Sequence, residues 1–533
     1  MQNQKINIPN NNREVDYLVI GSGAAGSAFA WRLSSRGFNV TCLDQGGFIN
    51  PSSYPTTDKN WEVLGLTDWN WDPNLRNNKA DYPVNNQESP IDPLMFNAVG
   101  GSTIHWTAHT PRFHPSDFKV KSLDGKGDDW PITYYDLEKY YDLNDEMMGC
   151  AGINGDPANP ERSERPMPPL PLGEDGEMMA RAFDKLGWHW WPSDSYVNSV
   201  NYKGRKKCNY CGPNGFGCTR SSKSSTDFTY WPEAIKYGAK IITYARVKKI
   251  LTDEKRRGIG AEYIKNGKVH TIRANNIIVA CNGIGTPRLL LMSATKNHEN
   301  GLGNSSGLVG KNLMFHPYAL VKGYFEGDHK FYKGPLANIL MSQQFYETDK
   351  SRRFIRGYSL QMVRSTGPIS TALSDTEWGS NHHKMFQQSF GKTLGFSIIA
   401  EDLPEEINQV VLDEKLHDSS NLPCPKIIYK LSENSEKILS HAINTTSQVL
   451  EAAGASKIVN DPLMKKAGWH LMGTTKMGED PETSVTNAWG KLHDFENIFI
   501  IDGSLFVTSA AVNPTPTIQA LALRTADYMS NRK

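Results

Sequence analysis

The feature that most constrains how this chain folds is the stretch DYLVIGSGAAGSAFAWRLSSRGFNVTCLDQGG, residues 16–47. Its hydrophobic pattern predicts a strand over Tyr17–Ile20, a helix over Ser27–Ser35 and a second strand over Asn39–Leu43. A glycine-rich loop joins the first strand to the helix, and an acidic residue follows the second strand. This order predicts an α/β domain with a parallel sheet.

The glycine-rich loop has the GxGxxG spacing of a dinucleotide-binding site. The first glycine makes the tight turn, the second lets a pyrophosphate approach the backbone, and the third lets helix and strand pack closely. An acid after the second strand accepts hydrogen bonds from a ribose diol. The motif alone does not separate FAD from NAD, and a glycine turn in another α/β unit has the same letters. The predicted ligand residues are Gly21, Gly23, Ala24, Ala25, Gly26 and Asp44.

Size and composition narrow the class of protein. A chain of 533 residues predicts two or three structural units. With 38% hydrophobic and 22% charged residues the balance is globular, and a net charge of +1 gives no reason to expect nucleic acid as a partner. No apolar run of about 18 residues occurs, so no membrane span is expected.

The leader MQNQKINIPNNNREV has neither an apolar core nor twin arginines. We therefore expect no secretory signal and a cytoplasmic protein, with export alongside a partner subunit left open. Seven cysteines, an odd number, favour reduced thiols over a disulfide framework.

A second pair of glycines lies in FNAVGGSTIHWTAHTPRF, residues 96–113. Because they have no Cβ atoms, Gly100 and Gly101 let backbone N–H groups approach a ligand. Ser102 follows them, and His105 stands three residues later, directly before a tryptophan. The segment predicts a second place where a ligand lies against the backbone.

Three later segments complete a set of five motifs. They are ANNIIVACNGIGTPRLLLMS at 274–293, GLVGKNLMFHP at 307–317, and a C-terminal run from GWHLMGTTKMGED to NPTPTIQALALRTADYM. In order and spacing the five resemble the glucose–methanol–choline (GMC) oxidoreductases, from about Asp16 to Met529. The resemblance implies an α/β fold, with an FAD-binding Rossmann-like domain and a substrate domain built on a mostly antiparallel sheet. It also implies an enzyme that oxidises alcohols with FAD.

The resemblance assigns cofactor contacts to particular residues. The first loop and Asp44 match the family's ADP-binding loop and ribose acid, although many relatives carry Glu at the acidic position. Gly100, Gly101 and Ser102 match the segment along the flavin, and Val247 matches a strand position whose backbone meets the adenine. The matches near the pyrophosphate, the ribityl chain and the flavin ring are Asp502, Gly503, Asn513, Pro514 and Thr515.

His470 and Asn513 match the family's catalytic pair. An alcohol releases hydride from carbon only as its hydroxyl proton leaves, and a histidine titrating near neutrality can take that proton. A neutral amide orients the oxygen without competing for the proton, and hydride passes to flavin N5. Without the family resemblance, His470 could equally be a buried structural histidine in a loop, and Asn513 could be a turn residue before proline.

His105 has two interpretations. The segment GGSTIHWT resembles the GGxxxHWT segment of the pyranose 2-oxidases, in the sugar-oxidising branch of the family, where this histidine is bonded to the flavin. Related gluconate, fructose and glucose dehydrogenases have similar segments without that bond. Either His105 carries the flavin covalently, or it packs near the isoalloxazine and tunes it electrostatically.

Three cysteines lie close together in KCNYCGPNGFGC: Cys208, Cys211 and Cys218. A structural loop with free thiols is one interpretation. An iron–sulfur cluster is another, since some related sugar dehydrogenases carry a three-iron cluster. Zinc is a third, and it would need a fourth ligand.

The predicted organisation is discontinuous. The FAD domain comprises 14–150, 226–318 and 461–533, the last part with the catalytic residues. Residues 151–225 are predicted to form a connecting or lid segment that contains the three clustered cysteines. The aromatic run LGWHWWPSDS lies in the same segment, and its side chains could either pack in a core or stack on a sugar. Residues 319–460 form the substrate domain, in which RFIRGYSLQMV and TLGFSIIAEDLPEEINQVVLDEK predict strands of one mostly antiparallel sheet and SENSEKILSHAINTTSQVLEAAG predicts a helix.

Three functions fit these features. The first is an FAD-dependent dehydrogenase or oxidase of a sugar, glycoside or polyol, with choline or a simple alcohol as the alternative substrate. The second is a flavoprotein subunit that relays electrons in a multi-subunit dehydrogenase, and the third is an FAD protein without turnover. Because the chain has one dinucleotide fingerprint, we expect electrons to pass to oxygen, a quinone or an electron-transfer protein, with a small accessory or cytochrome subunit as a candidate partner.

Overall fold

The computed structural model describes residues 15–76 and 78–531. The leader that predicts no secretory signal lies outside the described residues, apart from its last residue. Residue 14, which begins the predicted domain part at 14–150, also lies outside the described residues. The same is true of residues 532 and 533, which end the predicted part at 461–533.

The strands and helices of the described residues are as follows in chain order. The strands are β1 (Val15–Ile20), β2 (Val40–Leu43), β3 (Asn85–Glu88), β4 (Trp191–Pro192), β5 (Lys240–Ile242), β6 (Arg246–Thr252), β7 (Gly258–Lys265), β8 (Lys268–Val279), β9 (Tyr318–Tyr324), β10 (Leu340–Ser342), β11 (Tyr358–Val363), β12 (Thr393–Ala400), β13 (Gln409–His417), β14 (Pro423–Ile428), β15 (Lys457–Asp461) and β16 (Ile498–Ile500). The helices are α1 (Ala24–Ser34), α2 (Trp61–Leu66), α3 (Val120–Asp124), α4 (Tyr134–Met148), α5 (Gly173–Leu186), α6 (Tyr230–Lys236), α7 (Asn282–Met292), α8 (Pro368–Ser374), α9 (His382–Ser389), α10 (Glu433–Ala452) and α11 (Thr515–Ser530).

The first sheet carries the glycine-rich loop. Its parallel part has the order β5-β2-β1-β8-β16, and the first half of β8 pairs antiparallel with β7, which pairs with β6. Strands β1 and β2 are nearly continuous runs of buried apolar residues, as expected where both faces of a parallel sheet are covered. Helix α1 begins at Ala24, three residues before the predicted start. Alanine has the highest helix propensity of all residues, so Ala24 and Ala25 extend the helix back to the glycine turn.

The second sheet is antiparallel and has the order β15-β9-β12-β11-β10-β4. Alternate residues of its strands divide between two faces. In β9, Ala319 and Val321 pack in a core with α10 and α5, whereas Tyr318, Leu320 and Lys322 line a cavity on the other side. The fold class predicted from the sequence, a Rossmann-like unit and a mostly antiparallel sheet, is therefore confirmed.

The expected single sheet over 393–415 is wrong in one respect. Its first half is β12, but its second half is β13, which pairs with β14 and β3 in a separate three-stranded sheet. Between them, the side chain of buried Asp402 accepts hydrogen bonds from Tyr429 and Ser435, which anchors a non-strand turn. Val410 of β13 then joins an apolar core with Ile284 of α7 instead of the core under α10. Alternation predicted the strand correctly, but alternation does not specify the partner strand.

The aromatic run at 186–195 packs away from the cavity. Trp188 and Trp190 contact the core under the six-stranded sheet, and Trp191 belongs to β4 at its edge. No residue of this run lines the cavity, so the core interpretation fits and the sugar-stacking one does not. In the described part of the chain, no helix has both the length and the apolar character that crossing a membrane requires.

Candidate active site

A cavity of about 520 Å³ lies between the first and second sheets. The loop after β1 and the ends of β2 and β8 line one part of it, and β9, β11 and β12 line another. The segments at 469–471, 502–503 and 513–515 contribute to the same wall. The motifs that are far apart in sequence thus meet at one cavity.

The three glycines of the first loop serve different purposes. Gly21 has a φ of 102°, and a Cβ placed on it would lie 2.3 Å from the carbonyl oxygen of Ala280. A Cβ on Gly26 would lie 1.9 Å from the oxygen of Gly21, so helix and loop pack directly there. At Gly23 a Cβ would meet no atom within 4 Å, although the residue lines the cavity. Two of the glycines permit packing of the protein, and Gly23 keeps space open for a ligand.

Asp44 directly follows β2 at the cavity wall. Its Oδ2 accepts hydrogen bonds from the Ser22 N–H at 2.8 Å and the Ser22 hydroxyl at 2.5 Å, and its Oδ1 accepts one from the Gly46 N–H at 2.7 Å. Burial raises the pKa of this carboxyl, while the hydrogen bonds from Ser22 and Gly46 act against that rise. A carboxylate has about four lone-pair sites, so the held side chain keeps acceptor capacity for a ribose hydroxyl.

The double glycine packs against the first loop. The Gly100 N–H donates to the Ser22 oxygen at 3.2 Å, and a Cβ on Gly101 would lie 3.1 Å from the Gly23 Cα. The missing Cβ atom of Gly101 therefore lets this segment approach the first loop, whereas the missing Cβ atom of Gly100 leaves room for Asp227. Gly100 and Gly26 are the two predicted cofactor residues that do not line the cavity.

Three helices begin at the cavity: α1 at Ala24, α7 at Asn282 and α11 at Thr515. Asp502 holds the second of these in place, because its Oδ2 accepts from the Asn282 N–H at 3.0 Å and from the Thr286 hydroxyl at 2.6 Å. Helix N-termini carry partial positive charge and unpaired N–H groups, which suit phosphate. The other predicted cofactor residues at the cavity wall are Ala25, Ser102, Val247, Gly503 and Pro514.

These features fit FAD. The open space beside Gly23 and the converging helix N-termini accommodate a pyrophosphate, and Asp44 presents acceptors for a ribose diol. The rest of the cavity lies toward the six-stranded sheet. It is lined by Asn513, Pro514 and Thr515, which match the segment at the flavin ring, and by His470 of the catalytic pair.

His470 lies at the cavity with its tautomer determined by a second histidine, His316. The Nε2 of His316 lies 2.7 Å from the carbonyl oxygen of Ala510, which can only accept, so His316 carries its proton on Nε2. Its Nδ1 is then an acceptor, and the His470 Nδ1, 2.6 Å away, donates to it. The Nε2 of His470 is consequently the unprotonated nitrogen. The GLVGKNLMFHP motif by itself gives His316 no role, because nothing in the sequence indicates its contact with His470.

The pKa values of both histidines favour neutral rings. Burial lowers the pKa of His316 to about 4. Burial first, and the neighbouring His316 second, hold the pKa of His470 well below its usual range. His470 is therefore a neutral imidazole with an available lone pair around neutral pH.

The side chain of Asn513 is oriented by the six-stranded sheet. The Gln361 Nε2 donates to the Asn513 Oδ1 at 2.5 Å, and two residues earlier in β11 the Ser359 hydroxyl donates to the Ala511 oxygen at 2.6 Å. Because the amide oxygen of Asn513 already accepts from Gln361, its NH₂ group is the part left to donate to a ligand. Gln361 also lines the cavity, and no sequence motif indicated it.

His105 is buried in an aromatic surround. Its ring lies 4.1 Å from that of Phe96 and 5.7 Å from that of Trp69, measured between centroids. Among the described residues neither ring nitrogen has a hydrogen-bond partner, which is unusual for a buried imidazole. Burial first, and then the charges of Lys223 and Arg76, hold the pKa of His105 well below its usual range. The ring is thus neutral, lines the cavity, and keeps a nitrogen lone pair uncommitted.

An aromatic wall borders the cavity near His470. The Trp469 ring lies 5.4 Å from Tyr318 and 5.9 Å from Trp71, and all three residues line the cavity. Such a wall covers the C–H surface of a ligand well. The aromatic run at 186–195, for which the sequence leaves a core role or sugar stacking open, is not part of this wall, because clustering of tryptophans in sequence does not predict clustering in space.

The three cysteines do not line the cavity, although Gly215 of the same loop does. Cys211 is exposed and Cys208 and Cys218 are half-buried, and all seven cysteines of the chain are free. Over residues 15–76 and 78–531, no group of three or more His, Cys, Asp or Glu side chains is arranged to hold a metal ion. The arrangement thus lends no support to the iron–sulfur or zinc interpretation.

Comparison with known proteins identifies the family. Two models described as GMC oxidoreductase match residues 173–318 and 404–522, and one described as an NAD(P)-binding Rossmann-like domain matches residues 19–67. A 2-methyl-1,2-propanediol dehydrogenase from Mycolicibacterium austroafricanum is 41% identical over 97% of this chain and 96% of its own length. The chain belongs to the GMC oxidoreductase family. As a GMC oxidoreductase it is an FAD-dependent enzyme that acts on CH–OH groups.

Two further proteins resemble this GMC oxidoreductase along its length. The fructose dehydrogenase large subunit of Gluconobacter japonicus is 29% identical over 98% of this chain and 99% of its own. Among solved structures, a formate oxidase variant from Aspergillus oryzae, studied for its FAD modification, has a TM-score of 0.65 at 14% identity and covers 98% of this chain and 99% of that one. At that identity the second likeness concerns the fold.

Proposed function

We propose that this GMC oxidoreductase oxidises a hydroxyl group of a neutral sugar, glycoside or polyol, with His470 as the base. The observation that carries the proposal is the hydrogen-bonded chain from the Ala510 carbonyl through His316 to His470, which leaves the His470 Nε2 unprotonated. The similarity to a diol dehydrogenase and to a fructose dehydrogenase subunit supports the substrate class.

In this mechanism the His470 Nε2 accepts the hydroxyl proton as the carbon-bound hydrogen leaves. The Asn513 amide donates to the same oxygen and orients it, while Gln361 keeps the amide from rotating. Tyr318 and Trp469 cover the C–H surface of the substrate and exclude water from it. The bound flavin supplies the hydride acceptor, N5.

Electrons then leave to an acceptor other than NAD(P), which we propose to be oxygen, a quinone or an electron-transfer protein. One relative is the large subunit of a dehydrogenase, which supports an accessory or cytochrome subunit as the partner. An electron-relaying role without substrate oxidation is the less economical proposal, because the buried His316–His470 chain has no use in it.

Anaerobic bleaching of the flavin absorbance tests this function. We expect a sugar, glycoside or polyol from a panel to bleach the purified holoenzyme without any other electron acceptor. Choline and monohydric alcohols, in the same panel, should bleach it more slowly. If no member of the panel reduces the flavin while dithionite does, the proposed oxidation is excluded and an electron-relaying subunit becomes the better account.

We further propose that His105 is the residue to which the flavin is covalently bound. A neutral imidazole with an uncommitted nitrogen is the form that can make such a bond, and both properties hold for His105. Acid precipitation should leave the yellow colour in the protein pellet, and His105→Ala should release it to the supernatant. Mass spectrometry of the intact chain should show the corresponding loss of the flavin mass. Release of the flavin from wild-type protein by acid would leave His105 with a packing role alone.

A further inference from the structure

A partly buried ion pair lies on the substrate side of the cavity and takes no part in the mechanism above. The Lys322 Nζ lies 2.6 Å from the Asp375 Oδ1, and both residues line the cavity. The side chains are 22% and 6% exposed, respectively. Lys322 belongs to β9, and Asp375 follows α8, so the pair joins the six-stranded sheet to the segment that covers it.

The other charged side chains of the cavity wall are committed elsewhere. Asp44, Asp502, Arg246 and Arg288 line it with the nucleotide-binding segments. The guanidinium of Arg364 is engaged by both carboxylate oxygens of buried Asp175 and by backbone carbonyl groups. The Lys322–Asp375 pair is therefore the charged group best placed to meet a substrate.

Each partner keeps hydrogen-bonding capacity beyond the contact they share. An ammonium group has three donors, and a carboxylate has about four acceptor sites. The contact between Lys322 and Asp375 uses one of each. Together they present donors and acceptors side by side with no net charge. A hydroxyl group, which both donates and accepts, suits this arrangement, whereas an ammonium or a carboxylate on the ligand would meet one like charge.

The pair lies at a distance from the reacting centre. Tyr318, whose ring centroid is 5.8 Å from that of His470, begins β9, and Lys322 is four residues further along the strand. Since a strand rises about 3.3 Å per residue, their Cα atoms are about 13 Å apart. The two hydroxyls of a short 1,2-diol lie on adjacent carbon atoms and bridge little of this distance. A sugar ring or a linear six-carbon polyol bridges far more of it.

We propose that Lys322 and Asp375 form a second recognition site, which binds a hydroxyl remote from the one that is oxidised. The site selects neutral substrates of about six carbons, as rings or linear polyols, over short diols and monohydric alcohols. This inference rests on the proposed function, because it assumes that oxidation occurs at His470.

Substitution of the lysine tests the recognition site. Lys322→Met keeps the length of the side chain and removes its donors. We expect kcat/KM for D-glucose, D-fructose or D-glucitol, whichever the wild type prefers, to fall about 10- to 100-fold, the range for a hydrogen bond to a charged group. The change should appear mainly in KM. For propane-1,2-diol, kcat/KM should change less than about twofold, since a short diol does not reach the pair.

Further variants separate recognition from folding. Asp375→Asn should show the same selective loss, and Lys322→Arg should recover part of the six-carbon activity. Lys311→Met is the matched control, because Lys311 pairs with Glu406 at 3.2 Å and does not line the cavity. It should leave both substrates unaffected.

The outcomes distinguish this inference from the proposed function. An equal loss for six-carbon and short substrates in Lys322→Met would mean that the pair only holds α8 in place. No loss, or a wild type that oxidises short diols but no six-carbon substrate, would also overturn the recognition site while leaving the base role of His470 intact. A wild-type flavin that no polyol reduces would refute the proposed function itself.

Discussion

His470→Ala is expected to slow the reduction of the bound flavin by substrate about 10²- to 10⁴-fold, the usual contribution of a positioned general base. The variant should still bind FAD, because the nucleotide contacts at Asp44 and Gly23 are formed by other segments. Anaerobic stopped-flow measurement of flavin bleaching, with FAD content determined in parallel, checks both expectations. Asn513→Ala serves as a comparison and should have a smaller effect, since it removes a donor and leaves the base. Flavin reduction at the wild-type rate in His470→Ala would assign the base to another residue.

The pH dependence of the wild type follows from the direction of the pKa shifts. The pKa of His470 lies well below its usual range, so the ring is the unprotonated base both at neutral pH and above it. The rate of flavin reduction should therefore be independent of pH above about 6.5, the ordinary histidine value, and should fall only on acidification below it. His316→Phe removes the acceptor of the His470 Nδ1 proton and should lower the rate across the whole pH range, with FAD retained.

The parts of this site that the sequence predicted are those whose chemistry is local. GxGxxG encodes part of its own geometry: Gly21 has a φ of 102°, which favours glycine, and Gly26 lacks the Cβ atom that would collide with the Gly21 oxygen five residues earlier. Both requirements arise within this short loop. The same holds for the helix at 433–452, which begins after the capping residue Ser432. Family resemblance extended the prediction to His470 and Asn513, which do line the same cavity.

The parts that the sequence did not predict depend on contacts across the fold. His316 and His470 are 154 residues apart, and Gln361 and Asn513 are 152 apart, so neither pairing is visible in a motif. The prediction of one sheet over 393–415 is wrong for the same reason. Alternation of apolar residues describes one strand and not its neighbours, and β13 pairs with β14 and β3 instead of β12. Residues that orient a reacting group are thus harder to find from sequence than the group itself.

Gly23→Val is expected to yield a folded chain with reduced FAD occupancy. A Cβ at this residue meets no protein atom within 4 Å and its φ of −74° is available to any residue, so the substitution should not disturb the loop. The side chain would instead occupy the space into which the pyrophosphate fits. Since each 1.4 kcal/mol of lost binding is tenfold in affinity, an overlap of this kind should lower FAD affinity by more than about tenfold. Visible absorbance per chain after gel filtration measures the occupancy.

Two further glycines make that result interpretable. Gly26→Val places its Cβ 1.9 Å from a backbone oxygen, and overpacking of this kind costs about 1–3 kcal/mol or more, so it should lose structure and cofactor together. Gly187 ends α5 with a φ of 66° and open space beside it, so Gly187→Asn should retain both. Far-ultraviolet circular dichroism then separates the three cases. Because a ligand that binds only the folded state stabilises it, Gly23→Val should also lose the rise in melting temperature that added FAD produces in the wild type. A Gly23→Val protein that keeps full flavin occupancy would mean that the pyrophosphate lies elsewhere in the cavity, and that the space beside Gly23 is not its binding site.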